Sequence, residues 1–142
     1  MVWQALITLT FLLISPIKNA VSGDVLFYFF TERPSRDVVE NALWVQENCG
    51  IKVIGVIQGV LEGERLVQAV RRLNKYQKEG FEIWIDPTLY DIFSIQAVPC
   101  FILVPADFAY SKMCVGDEEI WGKKICGNLT IRYVLEKFKV CP

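Results

Sequence analysis

The side chains best able to do chemistry in this chain of 142 residues are five cysteines, Cys49, Cys100, Cys114, Cys126 and Cys141, and there is no histidine. No two cysteines form a C-x-x-C, so the sequence has neither a dithiol redox motif nor a zinc ribbon. The missing imidazole removes His-based triads, His general acid–base work and the common zinc and iron sites. In an oxidising compartment some of the thiols should pair, and an odd count leaves at least one without an internal partner. Cys114, Cys126 and Cys141 fall in a loop, an edge strand and the tail, where a disulfide is most useful. A Cys114–Cys126 bond would close a short loop, whereas Cys100–Cys126 could bridge neighbouring strands; sequence leaves the connectivity open. Cys49 and Cys100 read as small buried side chains, the usual role of a free core cysteine.

The oxygen-bearing residues offer less. Ser35 has no histidine and no obvious lysine beside it, so it reads as a helix N-cap rather than a nucleophile. Asp86 precedes Pro87 and reads as another cap. Asp117, Glu118 and Glu119 make a solvated loop without the ligand pattern of a calcium site. Asn128-Leu-Thr130 matches a glycosylation sequon but reads better as helix capping. Net charge is −1 with the two signs interspersed, which leaves no basic field for nucleic acid. No cofactor, metal or small-molecule substrate is indicated.

Among the elements that carry these residues, Val25 to Phe30 is a nearly continuous β-prone run, as in a strand covered on both faces. After Thr31–Ser35 a helix carries Val38, Val39, Ala42, Leu43, Val45 and Cys49 on its apolar side and stops at Gly50. Ile51 to Ile57 is a second buried strand, giving a parallel βαβ unit. A helix over about 64–79 follows, with Leu66, Val70, Leu73 and Tyr76 as its expected core stripe. Phe81 to Ile85 is a short extended piece, and 88–93 a short helix. Cys100 to Val104 is a buried strand that begins directly after Pro99. Residues 105–119 read as loop and 120–126 as an antiparallel partner strand. Asn128 or Thr130 caps a final helix with Ile131, Val134, Leu135 and Phe138 inward. This order predicts an α/β domain, a mixed sheet with helices on both faces. Trp84, Tyr110 and Trp121 are candidate interface aromatics.

Ala5 to Ile14 is an apolar run ended by Ser15-Pro16, too short for a bilayer span of about 20 residues. With Lys18 as the first charge and small residues at Ala20, Ser22 and Gly23, residues 1–23 are expected to be a signal peptide and 24–142 the domain. An uncleaved segment would anchor the domain to a membrane instead.

The segment Phe93-Ser-Ile-Gln-Ala-Val-Pro-Cys-Phe-Ile-Leu-Val104 resembles the thioredoxin element in which an aromatic and an isoleucine precede a cis-proline and a buried strand. That resemblance implies a thioredoxin-like fold with an inserted helix and a cis-proline before the closing β-β-α unit. A narrower resemblance covers about 24–138. Ile85-Asp-Pro-Thr-Leu-Tyr-Asp-Ile-Phe-Ser-Ile-Gln-Ala-Val-Pro99 and Cys126-Gly-Asn-Leu-Thr-Ile-Arg-Tyr-Val-Leu-Glu-Lys-Phe138 are similar to stretches of the TrbC-type pilus-assembly proteins of type-F conjugation systems. Residues 113–124 and the tail depart from that pattern. The resemblance implies a periplasmic protein of a type IV secretion apparatus that helps assemble the conjugative pilus beside TraW-type partners, with pilin a further candidate. In thioredoxins the nucleophilic cysteine lies where this chain has Thr31, Glu32, Arg33, Pro34 and Ser35, so redox catalysis is not expected. An atypical thiol-disulfide oxidoreductase or isomerase working through Cys100 alone is the alternative. The same resemblance places a peptide groove at Thr31, Glu32, Arg33, Val98 and Pro99, with the Val98 backbone holding an extended segment.

Overall fold

Side chains alternate from face to face along a strand, and strand β1 (Asp24–Phe29) uses both faces. Leu26 and Tyr28, with Phe30 just beyond, enter one buried cluster, while Val25, Phe27 and Phe29 enter a second on the opposite face. The computed structural model describes residues 23–107 and 123–141. Residues 1–22 of the expected signal peptide, Cys114, Tyr110, Trp121 and the carboxylates of 117–119 lie outside those residues.

Helix α1 (Arg36–Cys49) follows β1 and leads to β2 (Lys52–Ile57); helix α2 (Leu66–Lys78) leads to β3 (Glu82–Ile85). A short helix α3 (Pro87–Ile92) is inserted before β4 (Cys100–Pro105), and β5 (Lys123–Cys126) and α4 (Ile131–Lys137) close the chain. The sheet order is β3-β2-β1-β4-β5, with β1, β2 and β3 parallel, β4 antiparallel to β1 and β5 antiparallel to β4. Side chains of α1, α2 and α4 fill one face and those of α3 the other. This is the expected mixed α/β sheet with an inserted helix.

Local chemistry sets the boundaries. Gly50 ends α1 in the left-handed region at φ 67°, and its N–H donates to Gln46 O at 3.2 Å. Asp86 begins α3, accepting from the N–H groups of Thr88 (3.0 Å) and Leu89 (3.4 Å). Of the two candidate caps for α4, Thr130 takes the role, accepting from the Tyr133 N–H at 3.2 Å. A second orphan donor of that helix, the Ile131 N–H, is met by Asp37 Oδ2 of α1 at 2.8 Å.

Several expectations are corrected. Ser35 occupies the N-cap position of α1, but its side chain makes no cap hydrogen bond; its N–H instead donates to Tyr28 Oη at 3.0 Å. On α1 the buried residues are Val38, Ala42 and Val45, while Leu43 faces solvent. On α2 the buried residues are Ala69 and Leu73, with Tyr76 packed beside them, whereas Leu66 and Val70 are exposed. Ala69, Leu73 and Tyr76 (i, i+4, i+7) are the stripe over the sheet; Leu66 and Val70 lie about 60° and 100° around the helix from Ala69. Trp84 packs against Phe27, with ring centroids 5.6 Å apart, and its Nε1–H donates to Glu82 Oε1 at 2.9 Å. It therefore belongs largely to the core.

The cysteines depart most from expectation. Cys49 is bonded to Cys141 and Cys100 to Cys126, so neither Cys49 nor Cys100 is a free core thiol and Cys126 does not pair with Cys114. Cys100 and Cys126 are register partners on β4 and β5. The neighbouring Gly127 N–H bonds Pro99 O, so Cys100 and Cys126 form the non-hydrogen-bonded type of pair, where antiparallel backbones approach most closely. The Cys49–Cys141 bond ties the end of α1 to the tail, across 92 residues of chain.

Candidate functional site

The pairing of Phe29 with Cys100 sets the exit of β1 beside the entry of β4. Thr31–Arg33 and Val98-Pro99 therefore meet at one corner of the sheet, and the peptide bond between Val98 and Pro99 is cis. Thr31, Glu32 and Arg33 are exposed, Pro34 is buried, and Val98 and Pro99 are half-buried.

The β1 side is held by hydrogen bonds from distant residues. Tyr90 of α3 directs its hydroxyl at Phe30 O (2.8 Å) and Val56 O (3.0 Å), joining the ends of β1 and β2 beneath the corner. Burial pushes the Tyr90 hydroxyl up to about 12. Burial also raises the Tyr28 hydroxyl, which receives the Ser35 N–H. From α2, Arg72 donates to Glu32 O and forms a two-pronged pair with Glu64, at 2.9 Å (Nε to Oε2) and 3.0 Å (Nη2 to Oε1). The hydrogen bonds from Arg72 and from the Leu61 N–H hold the Glu64 carboxyl below its ordinary range. The exposed Arg33–Glu32 contact, at 3.6 Å, adds little.

The proline side is held by β5. Lys124 Nζ donates to the carbonyls of Phe93 (3.0 Å) and Ser94 (3.1 Å), a cation at the C-terminal end of α3, just upstream of Val98. The Cys100–Cys126 bond ties the first residue after Pro99 to the same strand. Cys100 is buried and Cys126 exposed.

The structure thus brings together the five residues expected of the groove: Thr31, Glu32, Arg33, Val98 and Pro99. Of the cysteines considered beside them, Cys100 and Cys126 lie at the corner, Cys141 lies away from it in the tail, bonded to Cys49 at the end of α1, and Cys114 falls outside the described residues. Sequence reasoning missed Arg72, Tyr90 and Lys124. Each acts across 30 or more residues, and no local pattern marks them. Chemically, no thiol lies within Thr31–Ser35. Among the described residues the Val98 N–H and C=O bond no other group, so that backbone edge is open to an extended segment. Away from the corner, a concavity of about 1080 Å³ lies between α1 and α4, walled by Trp44, Arg132 and Lys139 over Val45 and Leu135.

Comparisons with known proteins bear on the fold and the family. The exposed lipoprotein thioredoxin of Streptococcus pneumoniae is similar at a TM-score of 0.55 and 17% identity, covering 86% of this chain and 87% of that one. StoA from Bacillus subtilis is similar at 0.53 and 18%, covering 82% of each chain. At such identities the likeness shows the thioredoxin-like fold alone. No curated protein matches the chain. Residues 36–138 match the family profile described as the type-F conjugative transfer system pilin assembly protein. That span takes in α1, Glu64 and Arg72, Val98-Pro99 and the closing helix, with Thr31–Arg33 just before it, and on it this chain belongs to the TrbC family of type-F conjugative transfer pilin assembly proteins.

Proposed function

We propose that the chain is a periplasmic, non-enzymatic assembly component of a conjugative pilus apparatus, which works by holding an extended segment of another protein at the cis-proline corner. The family supplies the system. The observation that carries the binding role is the open Val98 backbone edge, beside a loop that lacks a thiol. TraW-type proteins of the same apparatus are the partners this reading favours, with pilin next. Export follows from the expected signal peptide.

The redox alternative draws on the position of Cys100, one residue past the cis-proline. The bond geometry weighs against it. A client thiolate would reach the exposed Cys126 sulfur first and expel Cys100 as a thiolate. Cys100 is 1% exposed among apolar neighbours, where a thiolate is disfavoured and a poor leaving group.

The test is affinity capture from cells carrying the intact conjugation apparatus, with wild type and with Thr31→Arg combined with Val98→Arg to fill the groove. Wild type should recover other pilus-assembly proteins, and the filled variant should recover at least tenfold less at an unchanged melting temperature. Equal recovery by both would overturn the groove. Insulin-reduction turnover that disappears in Cys100→Ser would overturn the non-enzymatic reading.

A further inference from the structure

Helix α2 turns an unusual face to solvent. Leu66, Val67 and Val70 are 61%, 67% and 52% exposed, at positions one and a half turns long at the start of the helix. The rest of that outward face is cationic. Between Leu66 and Lys78 there is no Asp or Glu, but there are Arg71, Arg72, Lys75 and Lys78. Arg72 is committed to Glu64 and Glu32; Arg71, Lys75 and Lys78 have no carboxylate partner among the described residues. At 100° per residue, Val67, Arg71, Asn74 and Lys78 form one line opposite the buried Ala69 and Leu73. Val70 flanks that line on one side and Lys75 on the other, each about 70° around the helix, and the exposed Leu66 lies beyond Val70 toward the sheet. The face is therefore apolar in its first half and positive in its second.

We infer that this face docks an amphipathic helix of a partner protein, one carrying carboxylates in its N-terminal half and aliphatic residues in its C-terminal half, laid antiparallel on α2. The lengthwise split sets that direction. Antiparallel docking puts the partner's carboxylates over Arg71, Lys75 and Lys78 and its aliphatics over Leu66, Val67 and Val70. Acidic residues early in a helix also suit its own dipole. A second copy is disfavoured, because a symmetric antiparallel pair would set each apolar half against the other copy's cations. A lipid surface is disfavoured too. The face has no exposed aromatic, and exposed Glu62 and Glu79 bracket the helix and would meet anionic headgroups. The inference rests on the reading that this chain works by binding proteins, but not on the cis-proline corner.

The probe is a synthetic helical peptide with glutamates in its first two turns and leucines in its last two, titrated onto the full chain by fluorescence anisotropy. Binding should weaken at least tenfold in Val67→Glu combined with Val70→Glu. It should weaken as much, and lose its salt dependence, in Lys75→Glu combined with Lys78→Glu. Leu43→Glu on α1 and the Thr31→Arg, Val98→Arg variant should bind as wild type does, which keeps this surface distinct from the corner. Equal binding of a peptide with lysines for the glutamates, or loss of binding in the Thr31, Val98 variant, would overturn the assignment. In cells carrying the conjugation apparatus, a photo-crosslinker at Val70 should attach to an acidic amphipathic segment identified by mass spectrometry. Attachment to lipid, to a second copy or to a segment without carboxylates would overturn it.

Discussion

On the β1 side of the corner, Thr31–Arg33 is held by side chains from remote elements: Tyr90 beneath it and Arg72 beside it, with the Tyr28 hydroxyl fixing Ser35. On the other side, Val98-Pro99 is followed by a disulfide and preceded by a turn whose carbonyls Lys124 binds. Both the disulfide and the lysine come from one edge strand. One side thus depends on hydrogen bonds that must find donors across the fold, and the other on a covalent tie and a cation from its neighbour. Hydrogen bonds yield to pH and to single substitutions, whereas a disulfide yields to reductant. The two sides should therefore fail under different conditions.

The largest effect expected at the corner separates them directly. The Cys100–Cys126 bond spans 26 residues, and in the chain-entropy account its removal costs about 3–4 kcal/mol. Cys100→Ser with Cys126→Ser should lose roughly that much in urea denaturation, and amide exchange should quicken in β5 and at Cys100. Exchange at Thr31–Arg33 should stay near wild type. Acceleration there of about tenfold or more would mean the two sides are one cooperative unit. Losing the Cys49–Cys141 bond is the control: its 92-residue span predicts about 4–5 kcal/mol and no selective change at the corner.

Gly55→Ala attacks the β1 side through packing. A Cβ at Gly55 would stand 2.8 Å from a ring carbon of Phe30 and 2.9 Å from one of Phe81. Both rings are buried and cannot swing away. The expected loss is about 1–3 kcal/mol, read from the denaturation midpoint, because overpacking displaces what it touches. The residue displaced is the one before Thr31, so exchange at Thr31–Arg33 should quicken and β5 should not.

Tyr90→Phe removes the hydroxyl that Phe30 O relies on, at a cost of about 1–2 kcal/mol. Burial holds this phenol up to about 12, against an ordinary value of 10.0. The folded state therefore keeps a proton that the unfolded chain gives up first. The stability is fully present below pH 10 and is lost as pH rises through 12. Thermal melts should fall across that window, and fall less steeply in Tyr90→Phe; the Tyr28 phenol, raised by burial as well, accounts for a remaining slope. Equal slopes would show that Tyr90 does not carry the effect.

The sequence was most readable where the signal is local. The Val98-Pro99 turn, the Asp86 cap, the Gly50 stop and the alternation of β1 all lie within a few residues of their cause. The Cys100–Cys126 pairing was readable only as an alternative to Cys114–Cys126, because it depends on the register of β5 against β4, and the Cys49–Cys141 pairing was not readable at all. The α2 stripe was misread for a related reason. A helix packing by Ala69, Leu73 and Tyr76 looks, in sequence, like one packing by Leu66, Val70, Leu73 and Tyr76, since alanine signals burial weakly. The groove residues came from resemblance and from the fold; what holds them did not, because Arg72 reaches Glu32 across 40 residues.

Arg72→Ala should have the smallest effect on stability and the most selective effect on the corner. The clamp sits near the surface, where ion pairs contribute little to the global free energy. Its Nη1 is nevertheless the described side-chain donor to Glu32 O, so without it exchange at Thr31–Arg33 should rise about tenfold while the melting temperature barely moves. Arg72→Lys should not restore protection, because one ammonium cannot span both Glu64 oxygens and Glu32 O as a planar guanidinium does. Glu64 supplies the pH test. Its carboxyl is held below the ordinary value of 4.5 by Arg72 and the Leu61 N–H, so the clamp is intact above that value and is lost as pH falls through the folded one. Acid should thus loosen Thr31–Arg33 in wild type and change nothing further there in Arg72→Ala. Acid loosening of equal size in both proteins would show that the Arg72–Glu64 pair does not control the β1 side.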